Sequence, residues 1–148
     1  MGALMTEELA EVDRRIENLI RVGRVASVDA GIGTAVVDFG SFRSPALPVG
    51  QLSAGAIQFW WMPSVGEQVL VASEGGDIAQ GVIVASLYAG NAPSSDAAVP
   101  QINLAGGKMV VNGTLEVTVD VIAAGVSLVN HIHKDVTPGV GKTGEPVK

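Results

Sequence analysis

The apolar positions change period along the chain, and each period predicts a different element. Over residues 6–21, Leu9, Val12, Ile16 and Leu19 recur at steps of three and four, with Ile20 beside the last. That spacing puts them on one face of an amphipathic helix. Thr6 is the expected N-cap, and Glu7, Glu8 and Glu11 suit the positive end of the helix dipole. Arg14, Arg15 and Glu17 fall off the stripe. A stripe of this kind needs cover, either from the chain's own sheet or from a neighbouring subunit.

From Val22 the period becomes two. Residues 22–29 read as a strand, Ala30-Gly31-Ile32-Gly33 as a turn and residues 34–39 as the returning strand. Ser44-Pro45-Ala46-Leu47-Pro48-Val49 is extended, as its prolines require. Gln58-Phe59-Trp60-Trp61-Met62 reads as an aromatic strand ending at Pro63, followed by a tight turn at Ser64-Val65-Gly66-Glu67. Residues 68–73 and 78–87 read as two more strands, joined by a hairpin turn at Glu74-Gly75-Gly76-Asp77. Short strands with tight turns over so few residues predict a small β-barrel. Residues 91–100, rich in Ser, Ala and Pro, read as a linker.

Beyond the linker the pattern differs again. Residues 101–105 and 108–112 are strand-like pieces broken at Gly106-Gly107 and Gly113. Then Leu115, Val117, Val119 and Val121 alternate with Glu116, Thr118 and Asp120. The same parity runs on through Ala123, Gly125, Ser127 and Val129 to His131 and His133. One strand face would therefore go from bulky to small to histidine. An arm this short builds little core alone, and its strands carry backbone edges that must be paired or hidden. Three chains around one axis would pair the edges and bring the valine faces together.

His131 and His133 are the only histidines, and the chain has no cysteine. Two imidazoles do not complete a metal site, because transition metals take four to six ligands. If the pair binds metal, the missing ligands come from other copies of the chain, and three copies would supply six imidazoles. Such a site has no open position, so its metal would be structural. Asp135 could orient His133 or be simply solvated.

Composition narrows the classes. Hydrophobic residues make up 47% of 148, charged residues 16%, and the net charge is −6. Even so, no apolar run is long enough for a transmembrane helix, and the first ten residues do not read as a signal peptide. Positive side chains beyond the helix are scattered, which speaks against a nucleic-acid partner. The adjacent Trp60 and Trp61 suit a barrel core and subunit packing better than base stacking, since no Lys or Arg interleaves them. Gly31-Ile32-Gly33 and Gly139-Val140-Gly141 are too short for phosphate loops. No nucleophile or acid–base pair is evident, so no catalytic residues are assigned.

Several runs resemble the baseplate assembly protein V family, the central spikes of contractile-tailed bacteriophages and R-type pyocins. They are Asn18-Leu19-Ile20-Arg21-Val22-Gly23, then Trp61-Met62-Pro63-Ser64-Val65-Gly66-Glu67-Gln68-Val69-Leu70, then Glu74-Gly75-Gly76-Asp77. Further on come residues 81–88, residues 120–128 and the late His131-Ile132-His133. The resemblance implies a mainly β homotrimer. Residues 1–21 would be the N-terminal helix and 22–92 an OB-fold domain. Residues 93–133 would form an intertwined triple-stranded β-helix arm, and 134–148 a tail wrapping the apex. It implies one iron ion per trimer, held octahedrally by His131 and His133 of each chain.

The implied function is a non-enzymatic spike at the centre of a contractile-tail baseplate, driven through the bacterial outer membrane. It would be made in the host cytoplasm and carried in a virion or pyocin-like particle, with baseplate hub or tail tube proteins as neighbours. The arm is short beside longer family members. The alternative is an OB-fold binding module for nucleic acid or glycan with an oligomerising tail. A metal-dependent enzyme would need an open coordination position.

Overall fold

Alternation on four strands builds the core of the first unit. The computed structural model describes residues 2–133 and 139, and the chain divides into two compact units, Met1–Gln101 and Ile102–Lys148. The first unit runs α1 (Gly2–Leu19), β1 (Ile20–Asp29), β2 (Thr34–Asp38), β3 (Leu47–Pro48), β4 (Gln68–Ser73) and β5 (Gly81–Leu87). The strands form one antiparallel sheet in the order β3-β2-β1-β4-β5. Irregularities in register at Val25/Ser27 and Leu70/Val71 bend it, as bulges do. Its two edges then meet. Val49, just after β3, bridges Ile83 of β5, and the Gly50 N–H donates to the Ile83 carbonyl at 2.8 Å. The result is an OB-like curled sheet.

Its inward face carries Val25, Ala35, Val37, Leu47, Val69, Val71 and Ile83, all buried. In β4, Val69 and Val71 are buried while their neighbours are half-exposed, the period of two expected of a strand with one wet face. Ser44 is buried beside them. Its hydroxyl accepts from the Val37 N–H at 2.9 Å and donates to the Pro45 carbonyl at 2.7 Å, so it is satisfied inside the core.

The helix starts and ends earlier than its periodicity predicts. It runs from Gly2 to Leu19, so Thr6 lies inside it and is not the N-cap, and Ile20 and Arg21 already belong to β1. At its C-terminal end it docks on its own sheet through polar groups. Asn18 is buried, and the Arg21 guanidinium donates to its Oδ1 at 2.8 Å. Arg21 also lies 5.5 and 5.3 Å from the ring centres of Phe39 and Phe42, a favourable cation–π distance. Glu11 takes both Arg14 and Arg15, whose guanidinium groups hold its carboxyl down to about 2. The apolar stripe faces away and is exposed.

Three other expectations fail in the first unit. Residues 58–62 are not a strand. Only an isolated bridge between Ala54 and Gln58 forms there, and the backbone at Trp61 is held by the side chain of Gln51. Glu74–Gly76 and Ile78–Gln80 are 3₁₀ turns rather than one hairpin turn, so β5 begins at Gly81 rather than at 78. The reason is helix docking. Gly76 sits at φ 72° with the Arg15 backbone where a β-carbon would lie.

The second unit contains one hairpin among its described residues, β6 (Ile122–Ala123) with β7 (Val126–Ser127). Ala124 and Gly125 both have positive φ, 49° and 83°, the form of a two-residue hairpin turn that matches strand twist. The chain therefore reverses at Ala124-Gly125, and the single face expected from Leu115 to His133 does not run through. Leu115, Val117, Val119 and Val121 lie outside any strand and are exposed. The linker 91–100 holds no strand, and the contact boundary follows it at 101/102.

Gly76→Ala is expected to destabilise the first unit by about 1–3 kcal/mol for the positive φ alone, with more from the collision with Arg15. Urea unfolding measures this. An unchanged midpoint would mean that the helix does not need this close approach.

Candidate functional site

The histidine pair hangs from the β6–β7 hairpin, and one carboxylate closes that hairpin. Asp120 Oδ1 accepts from the Val121 N–H at 2.8 Å and from the Val129 N–H at 3.1 Å. The Ser127 hydroxyl, more than any other group, holds its carboxyl below the ordinary carboxylate range, with the N–H groups of Val129, Val121 and Leu128 adding to it. The Leu128 N–H also donates to the Val121 carbonyl at 2.8 Å, and the Asn130 N–H to Ser127 Oγ at 2.8 Å. Both sides of the hairpin thus converge on Asp120.

The chain leaves this clasp directly into the histidines. His131 Nδ1 lies 2.8 Å from the Leu128 carbonyl. A carbonyl only accepts, so Nδ1 carries the proton and Nε2 of the neutral ring keeps its lone pair. A backbone partner on one ring nitrogen is the arrangement that orients a metal-ligating imidazole. The His131 and His133 ring centres are 5.0 Å apart at an interplanar angle of 80°, and both residues are exposed. The i, i+2 spacing therefore brings the two rings together, as the sequence predicts.

Among the described residues no third His, Cys, Asp or Glu joins them. Among the described residues one chain offers two nitrogen donors, an incomplete ligand set for a transition metal. Asp135 and the expected apex-wrapping tail, 134–148, lie outside the described residues apart from residue 139.

The first unit carries a different feature, a slot lined by Gly50, Gln51, Leu52, Phe59, Trp61 and Val84. Phe59 and Trp61 stack with ring centres 6.2 Å apart and an interplanar angle of 2°. Gln51 fixes them: its Nε2 donates to the Trp61 carbonyl at 3.1 Å and its Oε1 accepts from the Trp61 N–H at 2.8 Å. The Trp60 ring instead lies 3.7 Å from where a β-carbon of Gly33 would sit. No charged side chain lines the slot, so it lacks the cations that a phosphate backbone requires.

Asp120 was not singled out from the sequence. Its only signal there is a carboxylate directly before a short apolar turn, which occurs at many strand ends. Asp120→Ala is expected to speed amide exchange at Leu128 and Val129, read by NMR on the full chain. In the wild type, a lowered carboxyl pKa contributes order above its ordinary value near 3.8 and loses it as pH falls through the lowered value. The same amides should therefore lose protection only in strong acid. Protection that is unaltered by both changes would remove the clasp.

Comparison with known proteins agrees with the curled sheet of the first unit. Residues 21–88 match the family model of the Type VI secretion system/phage-baseplate injector OB domain, which covers β1 to β5. The chain is 30% identical over 96 residues to the spike protein of Escherichia phage P2, a match covering 65% of this chain and 46% of that protein. The chain thus matches about half the length of this curated relative. The family model ends at residue 88, before the hairpin and the histidines. The curled five-stranded sheet of the first unit is thus similar to the injector OB domain of phage baseplates and Type VI secretion systems, and part of the chain is similar to a phage spike protein.

Proposed function

We propose that the protein is a structural, non-enzymatic tail spike that acts as a homotrimer at the centre of a contractile-tail baseplate. Driven by contraction, it pierces the bacterial outer membrane, and a metal ion ties its tip. The observation that carries this reading is the His131–His133 pair, two adjacent imidazoles on one chain, His131 held by a backbone carbonyl, with no third ligand beside them among the described residues. Three copies supply six nitrogens, a closed octahedron in which the ion holds strands together and has no position left for water or substrate. Six-fold nitrogen coordination suits iron better than zinc.

The arm supports the same reading. Leu115, Val117 and Val119 are exposed in a single chain, and neighbouring chains would bury them in an intertwined triple-stranded β-helix. Rigidity comes from that intertwining, and the ion prevents fraying at the apex. The neighbours in the particle are hub or tail tube proteins. The stacked Phe59 and Trp61 favour a second reading, an OB-fold module that binds glycan or nucleic acid. The net charge of −6 and the uncharged slot weigh against nucleic acid.

Light scattering on the purified chain is expected to give a trimer mass that persists on dilution, and elemental analysis one iron per three chains. His131→Ala with His133→Ala should remove the metal and loosen the chain from about residue 129 onward, while the trimer persists. A stable folded monomer would overturn the spike reading. Metal that survives the double replacement, or carefully prepared wild type without any, would overturn the tip assignment alone.

A further inference from the structure

The helix α1 carries a second self-association surface, separate from the arm. Met5, Leu9, Val12, Ile16 and Leu19 follow one another at steps of four, three, four and three. That is a repeat of 3.5, the seam of helices wound around one another, rather than the broader stripe of a helix lying on a sheet. These side chains remain 66%, 60%, 51%, 60% and 43% exposed. The helix is already docked on its own unit by the opposite side: Asn18 is buried, the Arg15 backbone abuts Gly76, and Arg14 and Arg15 border the turn from Glu74 to Asp77. Its own sheet therefore cannot cover the seam without undocking it.

We propose that this seam is closed by the same helix of other copies, in a parallel bundle with Met5, Leu9, Val12, Ile16 and Leu19 as core layers. Three observations favour copies of this chain over a different partner. The seam is apolar in all five layers and offers no charged group for a partner to read. The basic residues of the helix are already taken, since Glu11 holds Arg14 and Arg15 on the docked side. The seam is also self-complementary, because a strict 3.5 repeat packs best against another 3.5 repeat in the same register. Glu8 and Asp13 flank the seam and come near each other between parallel copies. They are solvated carboxylates whose repulsion salt screens, so association should strengthen as salt rises. The number of copies rests on the trimer reading, but the seam itself does not.

The chain has no cysteine, so single cysteines report the geometry in the full-length protein. Helices packed through this seam have axes about 8–10 Å apart, within reach of a short bis-maleimide at core positions and out of its reach on the far sides. Leu9→Cys and Ile16→Cys are expected to give a band of two joined chains on a denaturing gel. Glu7→Cys, on the outward side, should stay a single chain. Light scattering is run on each variant alongside. Trimer mass without cross-linking at Leu9→Cys and Ile16→Cys overturns the seam and leaves the spike reading standing. Joined chains at a dimer mass keep the seam and overturn the trimer. Monomer mass without cross-linking overturns both. Equal cross-linking at Glu7→Cys means indiscriminate collision, and it too overturns the seam. Circular dichroism shows that each variant keeps its helix and strands before the result is read.

Discussion

One constraint governs this molecule: the chain has more apolar side chains than a single copy can bury. Hydrophobic residues are 47% of the sequence, yet among the described residues the buried apolar core is Val25, Ala35, Val37, Leu47, Val69, Val71 and Ile83. That core suffices to curl one sheet on itself. It leaves the stripe of α1, the aromatic slot and the valines of the arm facing water. Apolar area is worth roughly 25 cal/mol per Å² when removed from water. Large contiguous apolar patches on a protein surface mark sites of interaction. The polar docking of α1 follows from the same constraint, because a helix held by Asn18 and Gly76 keeps its apolar face free for something else.

Where the sequence was legible, the local period and the tertiary environment agreed. The strands β1, β2 and β4 each have one dry and one wet face, so alternation announced them within a residue or two. Residues 58–62 misled because aromatic and bulky residues mimic a strand while the hydrogen bonds are supplied by Gln51 instead of a ladder. The turn at 74–77 misled because its glycines serve the approach of α1, a long-range demand that no local rule contains. The helix end misled because Ile20 is apolar in either register. It became the first residue of β1, paired with Ala72.

The histidine pair was partly legible. Two histidines at i, i+2 promised rings on one side, and the rings do lie together. The long uniform parity leading to them was not real in the single chain, since Ala124-Gly125 closes a two-residue turn and sends the backbone back. The residue that organises this turn, Asp120, was hidden because its partners are backbone N–H groups, which every residue except proline possesses. Its position in sequence shows neither the Ser127 hydroxyl nor the Val129 N–H that it receives.

The two proposed self-association surfaces differ in physical kind, and the difference would suit a spike. The seam of α1 is dispersive and apolar. Its strength comes from area, it tolerates small shifts, and it requires no preformed geometry. The histidine pair is directional. As a shared metal site it would act only when nitrogens from separate chains arrive at bonding distance with their lone pairs converging, and the Leu128 carbonyl already fixes His131. A directional site binds weakly until its ligands are already gathered, because each chain offers only two. In the proposed trimer, an apolar seam and an intertwined arm would gather them first and raise their effective concentration. The proposed metal would then add stiffness where the strands would otherwise fray. Assembly driven by apolar burial and completed by coordination would remove any need for the two histidines of one chain to hold an ion alone.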